Sequence, residues 1–143
     1  MVYQTHVYAH DPHHGSYGDE AAEALGIDAA RVHKTLLAKV DDKWLVVAVV
    51  PVTGKLNLKA LAKAAGGKKA AMAEQAEAER STGYVVGGIS PLGQRKPLPT
   101  FIDGQARAHA TVYISGGKRG FEIELSPADL AAATQARFAA LSV

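Results

Sequence analysis

The sequence predicts an α+β fold: a mixed, curved sheet of about six strands with helices packed outside it. Three observations predict it. Two pairs of β-rich runs are separated by short turn sequences, which implies antiparallel hairpins. Helical stretches with recognisable caps lie between strands without a regular βαβ alternation. The chain has 143 residues, 48% of them hydrophobic, which suits one domain spanning 1–143 with a core of its own. It shows no linker, repeat or low-complexity tract.

The elements follow in order. Val2 to Ala9 alternates and is rich in Tyr, Val and Thr, so it reads as a strand. After the loop HDPHHGSYG, the run DEAAEALG reads as a short helix ending at Gly26, with Glu20 and Glu23 near its start. VHKTLLAKV, from Val32 to Val40, and WLVVAVVPV read as two strands of a hairpin turning at Asp41 and Asp42. Asn57 caps LKALAKAA, which stops at Gly66. KKAAMA is a short strand or extended link, and EQAEAER is a helix ending before Gly83. LPTFI is a strand, and ATVYIS and FEIEL flank GGKRG as a second hairpin. Ser126 and Pro127 open the last helix, whose inward face is read as Leu130, Thr134, Phe138 and Leu141.

Composition narrows the chemistry. The formal net charge is +2, which permits a nucleic-acid partner without establishing one. The absence of cysteine removes disulfides, zinc–thiolate sites and a cysteine nucleophile. The first residues lack the apolar run of a signal peptide, and no stretch reaches membrane-spanning length, so the expectation is a soluble, cytoplasmic protein.

Residues that could carry chemistry lie in three places. Gly83, Gly87, Gly88 and Gly93 crowd one segment. The run Gly87–Pro91 permits positive φ and close backbone approach, so its N–H groups could hold a carbonyl oxygen or a phosphate. Its spacing is neither a P-loop nor a dinucleotide fingerprint. Ser90 lies outside a nucleophile elbow and reads as a turn cap or hydrogen-bond donor. Lys34 shares the apolar face of its strand with Val32, Leu36 and Ala38, where a lysine either snorkels or points into a pocket at an anionic or carbonyl group. The pairs Arg95–Lys96 and Lys118–Arg119 each sit beside a turn; facing one way they would form a phosphate-tracking surface, and otherwise they are solvated turns. His10, Asp11, His13 and His14 have metal-compatible spacing but no further ligand set, so they read as a solvated loop.

Taken together, VHKTLLAKV, LKALAKAAGGKKAAMA, RSTGYVVGGISPLGQRKPLPTFID and YISGGKRGFEIEL resemble the YbaK-type Cys-tRNA(Pro) deacylases, free-standing relatives of the editing domain inserted in bacterial prolyl-tRNA synthetases. The resemblance implies a barrel-like sheet with outer helices, no cofactor and no metal. It implies removal of cysteine wrongly attached to tRNA(Pro), with prolyl-tRNA synthetase as a partner. It places the essential lysine at Lys34, the glycine loop at Gly87, Gly88, Ile89, Ser90 and Pro91, and further substrate contacts at Tyr8, Thr35 and Ser115. It leaves Arg95, Lys96, Lys118 and Arg119 as the tRNA-facing cations. Three departures stand out. The helix that precedes the first strand in the family is missing from this sequence, His33 stands where an aromatic residue is common, and Pro97 stands where a cation often follows the lysine.

The same family reading makes the substrate its own reagent: the cysteinyl thiol attacks its own carbonyl and expels the tRNA as a small cyclic thioester forms. Two other readings stay open. One is a deacylase for another small aminoacyl group, such as Ala-tRNA(Pro), using water. The other is a non-catalytic tRNA or nucleotide binder.

Overall fold

The computed structural model describes all 143 residues as eight strands, four α-helices and two short 3₁₀ turns. The strands are β1 (Tyr3–Val7), β2 (His33–Val40), β3 (Trp44–Pro51), β4 (Ala70–Met72), β5 (Thr100–Asp103), β6 (Val112–Lys118), β7 (Phe121–Leu125) and β8 (Arg137–Ala139). The helices are α1 (Tyr17–Leu25), α2 (Leu58–Ala64), α3 (Gln75–Thr82) and α4 (Pro127–Thr134).

The α+β class holds, but the single sheet of about six strands does not. The strands divide into a three-stranded sheet, β1-β7-β6, and a five-stranded sheet, β4-β2-β3-β5-β8. The two meet at one parallel bridge, Val32 to Tyr113, and neither closes into a barrel. Both expected hairpins are present and antiparallel. Asp41 and Asp42 both take positive φ in the first of them, within a three-residue connection between the paired Val40 and Trp44 in which the Lys43 N–H donates to the Val40 carbonyl. The five-stranded sheet also contains two parallel pairs, β3 with β5 and β5 with β8.

β3 reads as a run of apolar residues because both sheet faces are covered. On one face Leu37, Val47, Val49 and Ile102 pack with Ile114, Leu125 and Leu130. On the other, Ala38, Val46, Ala48 and Val50 pack with Leu61 of α2 and with Leu141. A third, smaller cluster joins Ala21 and Ala22 of α1 to Tyr8, Val32 and Tyr113.

The starts of α2 and α4 are built as their sequences suggest, and Ser16 caps α1. Ser16, Asn57 and Ser126 each accept a backbone N–H from the first turn of their helix. α1 begins at Tyr17, two residues before the expected start, because Ser16 is its cap. The last helix is shorter than expected. Gln135 enters the left-handed region and ends α4 at Thr134. Phe138 then lies in β8, paired with Ile102, and Leu141 is buried by a different route, its N–H donating to Asp103 Oδ1 at 3.0 Å. No helix is long and apolar enough to cross a membrane.

Candidate active site

β4 pairs only with Ala38–Val40 of β2. The earlier part of β2, from Lys34 to Leu36, therefore has no strand beside it on that side. A cleft of about 380 Å³ opens along this bare edge, within the size range of small-ligand sites. It is lined by Lys34, Thr35 and Leu36 of β2, by Ser16, Tyr17 and Gly18 at the start of α1, and by Gly87, Ile89 and Ser115. Met72, Ala73, Gln75, Ala78 and Val86 also line it.

Lys34 is half-buried, opposite Val50 of β3. Lys39, on the same strand, is tied to Glu77 at 3.1 Å, and Lys69 to Asp42 at 3.1 Å. Lys34 takes part in none of the chain's ion pairs. Lys34 thus lines the cleft with no carboxylate within ion-pair distance. Beside it, the Thr35 hydroxyl is buried and has no hydrogen-bond partner. His33 is almost fully buried, and its Nδ1 meets the Arg31 carbonyl. Burial lowers its pKa, which keeps the ring neutral as a filler of the core.

The segment after α3 is pinned rather than loose. The backbone N–H groups of Arg95 and Lys96 donate to the carbonyls of Thr82 and Ser81, and the Tyr84 hydroxyl donates to Leu92. Within it the two adjacent glycines differ. Gly87 is exposed, takes φ +96°, and a Cβ there would meet only Arg119 Cδ at 3.9 Å. Gly88 is buried, and a Cβ there would lie 2.9 Å from Lys118 Cα. The Gly88 N–H is taken by the Val85 carbonyl at 2.9 Å, and its carbonyl accepts the Ser115 hydroxyl at 3.1 Å. Gly88 is thus bare for packing, and its N–H is not free for a ligand. The N–H of Gly87 has no partner within the chain, which makes it the available donor of the two.

The cleft brings together Lys34, Thr35, Gly87, Ile89 and Ser115 of the residues expected at the site. It does not bring in the rest. Ser90 is buried and its hydroxyl accepts the Leu92 N–H, so it caps the turn. Pro91 lies on a separate polar groove with Lys96 and Gln135. Tyr8 is buried under α1 with a hydroxyl that has no partner. Among the cations, Arg95, Lys96 and Lys118 are exposed. Arg119 departs from the expected solvated surface. It turns inward, 23% exposed, with its guanidinium 3.6 Å from the buried Glu20. Of the histidine loop, His10 and His14 pair with Glu20 and Glu23, and no group of three or more potential ligands is placed to hold a metal ion.

Two residues, Tyr17 in the cleft lining and Glu122 behind it, escape a reading by periodicity. By local pattern Tyr17 falls in the loop before the helix, and only Ser16 taken as a cap moves it into α1. Glu122 alternates with Phe121, Ile123 and Leu125 in a pattern that reads as solvent-facing, yet it is fully buried and accepts the Tyr17 hydroxyl at 2.6 Å.

The sequence and the two-sheet fold are matched by known proteins. The family model for the aminoacyl-tRNA editing domain matches residues 12–133. The chain belongs to that family. A protein of Enterococcus faecalis, EbsC, named as a candidate Cys-tRNA(Pro)/Cys-tRNA(Cys) deacylase, is 39% identical over 99% of this chain and 86% of its own length. A proline–tRNA ligase of Shouchella clausii is 35% identical over 72% of this chain, a match that takes up 18% of the ligase. Among solved structures, a candidate trans-editing enzyme for prolyl-tRNA synthetase superposes with a TM-score of 0.88 at 25% identity, covering 99% of this chain and 87% of that one.

Proposed function

We propose that this chain is a trans-editing deacylase that removes cysteine from mischarged tRNA(Pro). The observation that carries the proposal is the unneutralised Lys34 lining the same cleft as Gly87. A cation and a backbone N–H without an internal partner in one cleft suit an ester whose carbonyl oxygen gains charge as it reacts. The cleft volume of about 380 Å³ fits a small aminoacyl group and the ribose that carries it. Similarity to EbsC and to a segment of a proline–tRNA ligase supports the substrate class.

In this reading the substrate thiol is the nucleophile. Its sulfur bonds to its own carbonyl carbon, the bond from that carbon to the ribose oxygen breaks, and the thiol proton ends on the departing ribose hydroxyl. The protein's part is to hold thiol and carbonyl in attack geometry, which contributes roughly 7–11 kcal/mol at best. The Gly87 N–H binds the developing oxyanion, and Lys34 fixes the terminal adenosine or polarises the ester. Thr35 and Ser115 shape the cleft around the aminoacyl group. Arg95, Lys96 and Lys118 offer their charge to the tRNA backbone, and prolyl-tRNA synthetase is the expected source of the mischarged tRNA.

Single-turnover deacylation of Cys-tRNA(Pro), Ala-tRNA(Pro) and Cys-tRNA(Cys) tests the proposal. Cys-tRNA(Pro) should be cleaved and its S-methylated counterpart should not. Cleavage of Ala-tRNA(Pro) at the rate of Cys-tRNA(Pro) would instead select water attack. Lys34→Ala should abolish deacylation while circular dichroism and Tm stay close to the parent. Lys34→Arg should be poor as well, because a planar fork does not replace a compact ammonium. Near-normal rates in a folded Lys34→Ala protein would remove Lys34 from the site.

A further inference from the structure

Beneath α1, part of the polar face of the three-stranded sheet is buried and carries groups that the proposed reaction does not use. Glu122 is fully buried there. It stands opposite Ser115 on β6 and opposite His6 on β1, and directly opposed residues share a sheet face. Its Oε1 accepts the Tyr17 hydroxyl at 2.6 Å across 105 residues of sequence, while Oε2 has no partner.

The surrounding groups come from every neighbouring element. From α1 come Tyr17 and Glu20. From just beyond β1 comes Tyr8, whose hydroxyl is unpartnered. The turn between β6 and β7 supplies Arg119, which faces Glu20 at 3.6 Å. Glu20 is in turn occupied by His10 and by the Asp11 N–H, both at 2.7 Å. His6, although opposite Glu122, gives its ring nitrogen to Glu124 at 2.9 Å. None of these groups donates to Glu122 Oε2. Burial raises the Glu122 carboxyl from its ordinary value to about 7, with the Tyr17 hydrogen bond pulling the other way.

This cluster touches the cleft through one side chain. Tyr17 lines the cleft, and so does Ser115 directly opposite Glu122. One hydrogen bond therefore separates a buried carboxyl from the cleft that Lys34 also lines. We propose that Glu122 is a positioning residue that acts through Tyr17: ionised, it holds the Tyr17 ring in the cleft wall, and protonated, it loosens that hold. A carboxylate is the stronger acceptor for a hydroxyl, since the bond is charge-assisted. The proton that weakens it settles on Oε2, the oxygen with no partner. The cleft then senses the charge of a group that never meets substrate.

The effect on rate rests on the deacylase reading above; the coupling of Glu122 to Tyr17 does not. The first experiment therefore uses the full chain without RNA. Carbon-13 signals of the glutamate carboxyls and the tyrosine rings are followed from about pH 5 to pH 9, a window spanning the neutral range. The carboxyl that disappears in Glu122→Gln should titrate near neutrality, and the Tyr17 ring signals should move with it. A Glu122 carboxyl titrating in the ordinary range, or Tyr17 signals that ignore it, would overturn the proposal.

The second experiment is the single-turnover rate on Cys-tRNA(Pro) and Ala-tRNA(Pro) over the same range. The wild-type rate should rise through neutral pH on whichever substrate is cleaved. That rise should vanish on Ala-tRNA(Pro) in both Glu122→Gln and Tyr17→Phe. On Cys-tRNA(Pro) it should shrink to the part that belongs to the substrate thiol. A folded Glu122→Gln protein with the wild-type profile would overturn the proposal. Should Glu122→Gln not fold, Tyr17→Phe keeps the ring and the carboxyl and decides alone. A wild-type protein inert on both substrates defeats the deacylase reading, and the titration of Tyr17 still decides the coupling.

Discussion

At Gly87 the backbone takes φ +96° with open space before it, and at Gly88 the backbone of Lys118 leaves no room for a Cβ. The two substitutions should therefore part company. Gly87→Val puts a β-branched residue in the left-handed region on the cleft wall, so deacylation should collapse while Tm falls modestly. Gly88→Ala should cost about 1–3 kcal/mol of stability by overpacking, seen as a lowered urea midpoint. Equal losses of activity and stability at both positions would show that the loop acts only as a turn. Glu122 makes a separate prediction. Its folded pKa of about 7 lies above the ordinary value of 4.5, so the folded state holds the proton more tightly than the unfolded one. The stability this lends is fully present below the unfolded value and is lost as pH rises through about 7. Glu122→Gln removes that loss. The stability of the variant relative to wild type, measured by urea denaturation, should therefore climb between about pH 5 and pH 8, by up to about 3 kcal/mol. A constant difference across this range would mean the carboxyl does not titrate there. Lys34 was legible because a cation interrupts an apolar alternation within one strand. Glu122 was not, because its burial depends on α1 covering a sheet face that the local pattern marks as wet.

Helix α4 has a readable start and an unreadable stop. Ser126 and Pro127 announce the first turn, as Gly26 and Gly83 announce the ends of α1 and α3 with positive φ. Gln135 adopts the same left-handed conformation without any local signature, and the apolar spacing from Leu130 to Leu141 continues past it. What ends the helix is a partner elsewhere: Arg137–Ala139 pairs in parallel with Phe101–Asp103. Gln135→Gly should raise stability by about 0.5–1 kcal/mol, because glycine enters the left-handed region at no steric cost. Were the helix continuous through this point, the same change would lower stability by about 1 kcal/mol, so the sign of the shift in chemical denaturation settles the matter. The hairpins were legible for the opposite reason, since β2–β3 and β6–β7 join neighbours in sequence through turns whose residues announce themselves. The parallel pairs and the split into two sheets rest on pairings between distant segments, which no run of residues spells out.

Across the whole molecule, the cations divide by exposure rather than by sequence pairing. Arg95, Lys96 and Lys118 face solvent, whereas Arg119 faces Glu20. Neutralising Arg95 with Lys96 should weaken tRNA binding and flatten its salt dependence by roughly one unit for each phosphate no longer neutralised. Arg119→Ala should instead lower Tm, with little change in the slope beyond what weaker folding causes. A flattened slope from Arg119→Ala and none from the Arg95–Lys96 double variant would reverse this division. The pairing of β1 with β7 joins Tyr3 to Leu125 and Val7 to Phe121, and α1 rests on the sheet this pairing completes. During synthesis β1 and α1 leave the ribosome early, but their docking surface arrives only after roughly a hundred further residues. At about 5–20 residues per second, that wait is on the order of ten seconds. A nascent chain therefore carries Lys34 and Tyr17 well before Glu122 exists to hold the Tyr17 hydroxyl, and only a chain translated through β7 can complete the lining of the cleft.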